Sequence, residues 1–430
     1  ANGFCFSDGC GMISPLLAQE IASKMNLSEV PSAFQIRFAG FKGVVAVNPE
    51  INGLALRPSM KKFDTNHCSL DVLNVAEAFP CYLNRQVIMI LSALGVPDSS
   101  FEKLQMDHLK YLAQCFNSNG ILSLKDFKIS DLDPKDPFMR SLISAQFRHQ
   151  LMDLLTKSRI VLPKGRILMG VVDESGILAE DEIFCQIRDD QLNQVIEGRV
   201  TVAKNPCMHP GDVRVLKAIK NPLLESYSYN VIIFSRRGSR PVPDMCSGSD
   251  LDGDLYFVTW DESLIPPQVD EPMVYDALEP KIKSGPITVE DLREFMVFFI
   301  RNDQLGAIAN THVALADQLE AGVRDSACKA LAKLFSYAVD FPKTGYVATI
   351  PKEVRVERYP DFMMKFDKPN YASHRVIGTL FREIKAVMAE EISEDFTGNS
   401  LINGEFLIPG YEVRTFHYPF FLCGFMISSI

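Results

Sequence analysis

Cys246-Ser247-Gly248-Ser249-Asp250-Leu251-Asp252-Gly253-Asp254-Leu255-Tyr256-Phe257 places three carboxylates at alternate positions between a Gly/Ser turn and an apolar run. In an extended strand Asp250 and Asp254 would stand about 13 Å apart, at ~3.3 Å per residue, too far to share one ion. The chain is therefore expected to curl. Gly248 and Gly253 reach backbone angles that other residues resist, and Leu251 and Leu255 offer apolar anchors for a tight loop. Three crowded carboxylates repel one another, and a divalent cation removes that penalty. A calcium loop of the EF-hand kind does not fit, because its Gly and Glu positions, counted from Asp250, hold Leu255 and Asp261. A solvated acidic turn ahead of a strand is the plain alternative.

Magnesium suits such a loop, since it takes oxygen ligands, keeps some waters and accepts substrate phosphate oxygens in its remaining positions. A second ion arriving with a nucleoside triphosphate would give a two-ion site, one ion activating a 3′-hydroxyl and the other stabilising pyrophosphate.

Around the loop, short β-branched runs between Pro and Gly turns (Arg166 to Val172, Gly198 to Ala203, Val213 to Leu216, Asn230 to Phe234, Leu255 to Trp260) predict a barrel from Gly165 to Trp260. An earlier β-rich stretch, Phe4 to Val96, contains Gln35 to Phe38 and Gly43 to Val47 and ends in a helix over Leu83 to Leu94. Between the two, Phe147, Leu151, Leu154 and Leu155 recur at helical spacing. After Thr288 the period becomes helical again. Thr288 and Asp291 form an N-cap pair ahead of Leu292, Phe295, Met296 and Phe299, and further helices are expected over Thr311 to Ala321 and Asp325 to Val339.

The 430 residues are enough for several domains, with 47% apolar residues to fill their cores. Ten scattered cysteines include no Cys-x-x-Cys pair, so free thiols are expected, with no zinc ribbon. The net charge of -10 excludes a protein that holds nucleic acid over its whole surface, leaving a local basic groove. No signal peptide or membrane-spanning run is present, so the chain reads as soluble and intracellular, with nucleus and cytoplasm undistinguished. It begins at Ala1 and reads as a piece of something longer.

The loop resembles the Asp-x-Asp-Gly-Asp signature of cellular RNA-dependent RNA polymerases, the RNA-silencing enzymes of plants, fungi and nematodes. The resemblance extends in order from about residue 4 to 380 and is strongest to the plant branch. It includes Phe6-Ser7-Asp8-Gly9, Gln35-Ile36-Arg37 with Lys42-Gly43, Leu56-Arg57-Pro58-Ser59-Met60 and Leu83-Asn84-Arg85-Gln86. It continues through Val202-Ala203-Lys204-Asn205-Pro206-Cys207, His209 to Arg214, Asn310 with His312, and Asp340 to Gly345.

The resemblance implies an α+β fold of two double-psi β-barrels with a helical connector and a helical neck, distantly related to the largest subunits of multisubunit RNA polymerases. On that reading residues 1–97 hold a partial first double-psi barrel, 98–160 the connector, 161–265 the second barrel with the catalytic aspartates, 266–393 the neck, and 394–430 a truncated or aberrant tail. It implies Asp250, Asp252 and Asp254 as catalytic metal ligands, Mg2+ as cofactor, and a single-stranded RNA template and ribonucleoside triphosphates as partners. There would be no membrane, and silencing-pathway proteins are possible partners. The activity implied is RNA-templated RNA synthesis giving double-stranded RNA for small-RNA gene silencing.

Phosphoryl transfer is catalysed chiefly by positioning and by stabilising charge, so cations belong near the triphosphate. Arg37, Lys42, Arg57, Lys61 and Lys62 in the first β unit, and Lys204 and Lys343 beyond it, are the candidates for substrate phosphates, with Arg214, Arg236 and Arg237 as further cations. Lys42, at a glycine-flanked turn, leads them. His209 and His312 are expected to be structural, and Phe295, Met296, Phe298 and Phe299 to pack in a core. The amino-terminal region and head domain of the family are missing from the sequence, and the aromatic stretch Phe416 to Leu422 replaces the family's acidic continuation. A catalytically inactive, truncated RNA-binding fragment is therefore the alternative, and a DNA-templated polymerase subunit a third.

Overall fold

A computed structural model of the chain describes residues 3–117, 137–189, 192–276, 278–280 and 282–397. Its contacts divide into two units, residues 1–384 and 385–430. The first unit opens with a mixed five-stranded sheet made from β1 (Cys10–Ile13), β2 (Ala33–Phe38), β3 (Phe41–Val47), β4 (Leu54–Ala55) and β5 (Leu70–Val75), in the order β4-β1-β3-β2-β5. β1 runs parallel to β3, and α1 (Pro15–Lys24), capped by Ser14, lies between them in sequence. β2 and β3 form a hairpin whose two turn residues, Ala39 and Gly40, have φ of 48° and 80°. Two positive φ values give a turn whose twist matches that of the strands it joins. Arg37 and Lys42 then face each other across the hairpin and share one side of the sheet. Ile13, Ala18, Phe34, Ile36, Val45 and Met60 fill the core on the covered side.

The second sheet comprises β6 (Phe79–Tyr82), β7 (Val161–Val172), β8 (Glu182–Arg188), β9 (Asn193–Val195), β10 (Gly198–Lys204), β11 (Arg214–Ala218), β12 (Val231–Phe234) and β13 (Leu255–Thr259). β11, β10, β13, β7, β12 and β8 pair in that order, and β8 pairs back to β11, which closes a six-stranded barrel. Closure leaves no exposed edge among these six, and β8 and β12 are buried almost throughout. β8 went unrecognised in the sequence. β6, although it belongs in sequence to the first β-rich stretch, pairs antiparallel with β7 of the barrel. Cys10, Ala33, Val44 and Ala76 join Leu168, Val171, Tyr256 and Val258 in one cluster, so the first sheet and the barrel share a core.

Helices flank the sheets. α2 (Arg85–Ala93) starts where the Asn84 side chain accepts the Val87 amide, at 2.9 Å. α3 (Asp98–Asn117) and α4 (Pro137–Lys157) follow, the latter burying Leu151, Leu154 and Leu155 as its spacing predicts. Beyond the barrel come α5 (Val289–Asn302), α6 (Leu305–Gln318), α7 (Ser326–Val339) and α8 (Val376–Thr397). The Thr288/Asp291 capping box is formed, and Asp325 caps α7. Two expectations need correction. The helix expected from Thr311 begins six residues earlier, at Leu305, whose amide the Asp303 side chain accepts. The apolar residues of α5 are not core: Leu292 is 60% exposed and Met296 58%, and at its carboxy-terminal end Phe298 and Phe299 lie 5.6 and 5.4 Å from the Phe341 ring. Periodicity reports that a helix has an apolar face and is silent on what covers it.

Cys5, Cys10, Cys68, Cys81, Cys185, Cys207, Cys246 and Cys328 are free thiols. Among the same residues no helix is long and apolar enough to cross a membrane. In the expected tail, residues 398–430 lie outside the described residues, as do 118–136 of the connector.

Candidate active site

The acidic stretch curls as its composition requires. A single helical turn, Val242–Met245, leads into it, and the chain then reverses through Ser247 and Gly248, with φ of 56° and 64°. Ser247 tolerates this backbone because its hydroxyl donates to the Lys204 carbonyl at 3.0 Å. Gly253 has φ 131°, and a Cβ there would lie 1.9 Å from the Gln35 amide nitrogen. Inside the curl the Asp250 amide donates to Asp254 Oδ2 at 3.2 Å, and the Asp252 amide donates to Asp250 Oδ1 at 3.0 Å. Leu251 is buried beneath the loop as an anchor. Tyr256, fully buried, donates from Oη to the Asp250 carbonyl at 2.8 Å and lies 2.8 Å from Ser249 Oγ. Its ring fits only because residue 170 on β7 is glycine, where a Cβ would come within 2.4 Å.

The first sheet holds the loop from the other side. The Leu251 amide donates to the Asp8 carbonyl at 3.1 Å, and Gln35 Nε2 donates to the Asp252 carbonyl at 3.2 Å. Gly9, at φ 77°, lies so close that a Cβ would sit 2.6 Å from Asp252 Cβ. Behind it, the Gly9 carbonyl accepts the Val44 amide at 2.9 Å, next to Gly43, where a Cβ would meet that carbonyl at 2.2 Å. Lys42 Nζ stands 2.6 Å from Asp252 Oδ2, and from the barrel Lys204 Nζ stands 3.5 Å from Asp254 Oδ1.

The electrostatics follow from this crowding. Burial pushes the Asp250 carboxyl up to about 7, and the charges of Asp252, Asp254 and Asp8 add to the shift. Asp252 feels the same burial, but its hydrogen bond and ion pair with Lys42, helped by Lys62, hold it below the ordinary carboxylate range. The three carboxylates share one loop without converging on one point, and among the described residues no three His, Cys, Asp or Glu side chains form a ready ligand set. Like charges separate, and each turns to the nearest donor or cation. In kind the donors suit a hard divalent ion, with several oxygens, no sulfur or imidazole, and a crowd that a cation would relax.

The structure brings Lys42, Lys204 and the three aspartates together, while Lys62 and Lys343, bonded to the Ser59 carbonyl and to Asp340, act on the aspartates through their charge alone. Lys343 is held above its ordinary value first by its hydrogen bond to Asp340, with Asp250 and Asp252 contributing through their charge. Arg37 faces Lys42 across the hairpin. Arg57 is engaged elsewhere, donating to Glu174 at 2.9 and 2.8 Å and to the Cys10 carbonyl, and so ties the first sheet to the end of β7. Lys61 pairs with Asp64, at 2.5 Å. Arg214 donates to the Asp270 carbonyl, and Arg237 to that of Gly176. Arg236 also packs against Gly176. His209 is structural as expected, its Nδ1 accepting the Gly211 amide at 3.1 Å, and His312 is buried. Sequence reasoning gave no role to Asp8, Gly9 or Gln35. The only signal was their place in short motifs, which shows that they recur and not what they touch.

Comparison with known proteins adds three findings. The family model described as RNA dependent RNA polymerase matches residues 1–384. The probable RNA-dependent RNA polymerase 1 of Oryza sativa subsp. japonica is 44% identical over 88% of this chain and 54% of its own length. The RNA-dependent RNA polymerase 1 of Arabidopsis thaliana is 44% identical over 89% and 36%, and that of Schizosaccharomyces pombe 33% identical over 94% and 37%. The chain thus spans about half the length of the rice relative and little more than a third of the other two. The solved RNA dependent RNA polymerase QDE-1 from Thielavia terrestris superposes with a TM-score of 0.74 over 92% of this chain and 52% of that one, at 19% identity, which establishes a shared fold.

Proposed function

This chain belongs to the RNA-dependent RNA polymerase family, and from that premise we propose that it carries the centre for RNA-templated RNA synthesis from ribonucleoside triphosphates. The product would be double-stranded RNA of the kind that feeds small-RNA gene silencing. The closed barrel and the five-stranded sheet are read as a pair of double-psi barrels, distantly akin to the largest subunits of multisubunit RNA polymerases. Residues 161–265 form the catalytic barrel, 1–97 supply its companion, 98–160 connect them, and 266–393 are the neck.

Asp250, Asp252 and Asp254 are the residues that would hold magnesium, which when bound would help ionise a primer or initiating 3′-hydroxyl and offset charge on the leaving pyrophosphate. The rest falls to the chain's own side chains. Lys42 and Lys204, which pair with Asp252 and Asp254 from the two sheets, would turn from these carboxylates to triphosphate oxygens. Lys343 adds charge from the neck, and Lys62 from beyond β3. These cations hold the triphosphate so that the 3′-oxygen attacks the α-phosphorus in line. The new P–O bond forms as the bond to the β-phosphate bridging oxygen breaks, pyrophosphate leaves with that electron pair, and the hydroxyl proton passes to water. Gln35 and Asp8 act through the backbone of the loop and keep it in place.

The observation that carries this reading is the half-buried acidic curl of Asp250 to Asp254, held between a lysine from each sheet. Incorporation of labelled nucleotide on single-stranded RNA by the 430-residue chain, with and without magnesium, tests it. Magnesium-dependent, template-directed incorporation supports the proposal. A chain that binds RNA but adds no nucleotide is the inactive fragment instead, and one that prefers a DNA template belongs to the third alternative.

A further inference from the structure

The segment from Pro266 to Asp276 has no helix or strand, yet it is fastened along its length. Arg214 Nη1 donates to the Asp270 carbonyl at 3.0 Å, Arg324 grips the Asp270 carboxylate at 2.9 and 2.7 Å, and Arg240 Nη2 donates to the Met273 carbonyl at 2.7 Å. The strap therefore joins two barrel-side arginines to the helical region that follows. It ends on Tyr275, whose hydroxyl donates to Asp212. Asp212 is fully buried, and its other oxygen accepts the Met208 and His209 amides, at 2.9 Å each. The Ser247 hydroxyl also sits against this carboxylate. The Tyr275 ring, for its part, rests on Gly248, where a Cβ would lie 2.6 Å from the ring's Cγ.

Ser247 and Gly248 are the two left-handed residues that reverse the chain just before Asp250. A turn in that conformation is held by its surroundings, because its own backbone preference works against it at Ser247. Tyr275, against Gly248, and Asp212, against Ser247, are part of those surroundings, with the Lys204 carbonyl. We propose that Tyr275 is a positioning residue for the catalytic loop. Braced by Asp212 and seated on Gly248, it fixes the turn that aims Asp250 and Asp252, and through Asp270 and Arg324 it ties that turn to the helices beyond the barrel. The proposal rests on the polymerase reading for its consequence in catalysis, and on the geometry alone for the brace.

Tyr275→Phe in the full chain is the test, since it keeps the ring and removes the bond to Asp212. Hydrogen exchange without metal or nucleotide is expected to quicken about tenfold across residues 246–254, the loss of one hydrogen bond to a buried charge, while β7 and β10 exchange as before. In nucleotide incorporation, the magnesium concentration for half-maximal rate rises about tenfold on the same account, and KM for the triphosphate stays as it was. Gly248→Ala presses the same ring from the opposite side. It should quicken exchange over the same residues, and less so when combined with Tyr275→Ala. Exchange over 246–254 that is unchanged in both single variants, or raised equally in the barrel strands, overturns the brace. A wild-type chain that adds no nucleotide sinks the polymerase reading instead and leaves the brace to be judged by exchange.

Discussion

Replacing Gly9 with alanine separates the cost of an awkward backbone from the cost of moving the Asp252 carboxylate, to which the proposed function assigns a metal. Gly9 has φ 77°, and an added Cβ would lie 2.6 Å from both the Cβ and the amide nitrogen of Asp252. Ordinary contact between such atoms needs roughly 1 Å more, and the obstacle is largely backbone, so the Asp252 segment must yield by about that distance. The left-handed backbone alone costs alanine roughly 1–2 kcal/mol. A displacement of about 1 Å at a reacting centre costs turnover on the order of 100-fold. Gly53 supplies the control, with φ 81° and nothing within 4 Å of its would-be Cβ. Both variants should therefore lose stability in thermal or urea unfolding, Gly9→Ala the more because its Cβ also presses on the Asp252 backbone. Only Gly9→Ala should lose about 100-fold in the rate of templated nucleotide addition. Turnover by Gly9→Ala within about threefold of Gly53→Ala would falsify the claim that the first sheet sets the position of Asp252, since a displacement of this size cannot be so mild.

Lys42→Ala removes the ammonium 2.6 Å from Asp252, and should raise KM for the triphosphate about tenfold or more while the chain stays folded; steady-state kinetics with unchanged KM would remove Lys42 from the phosphate site. Because the Asp250 carboxyl is raised to about 7, its ionised form is the disfavoured one in the metal-free fold, and the stability it contributes is lost as pH rises from the ordinary carboxylate range through 7. Magnesium competes with that proton, so its affinity should fall about tenfold between pH 8 and pH 6, and the thermal shift produced by magnesium should shrink accordingly; an equal shift at both pH values contradicts the assignment. Arg57→Ala breaks a half-buried bidentate pair with Glu174 and should destabilise the fold by about 2–3 kcal/mol in urea titration. A full-stability Arg57→Ala chain with a raised KM for triphosphate would instead place Arg57 at the substrate.

What the sequence disclosed depended on the range of the interaction. The curl at Asp250 to Asp254 was legible because its causes are local: spacing too long for a shared ion in an extended chain, glycines at the points of reversal, and Leu251 and Leu255 interleaved with and following the acids. The Thr288 capping box was legible for the same reason. Strand β8 escaped notice because it is buried along nearly its whole length and so lacks the alternation that marks a half-buried strand. The partners that hold the loop were not legible in their roles. Gln35 reaches Asp252 across 217 residues, and Gly9 is needed for a close approach that no local pattern announces. Lys343 entered through family resemblance, and its proximity in charge to Asp250 and Asp252 emerges only once the neck is folded. Arg57 shows the converse, a cation in a shared motif whose guanidinium is committed to Glu174.

The account stands on one physical proposition, that the acidic curl between Lys42 and Lys204 collects a divalent ion when substrate is present. Crystals of the chain grown with manganese in place of magnesium and with a non-hydrolysable ribonucleoside triphosphate test it directly through anomalous scattering. The prediction is a peak about 2.1–2.2 Å from carboxylate oxygens of Asp250, Asp252 and Asp254, with triphosphate oxygens completing the shell and the two lysines turned toward phosphate. Triphosphate bound with no peak at the curl, or with the metal held by other residues, would contradict it.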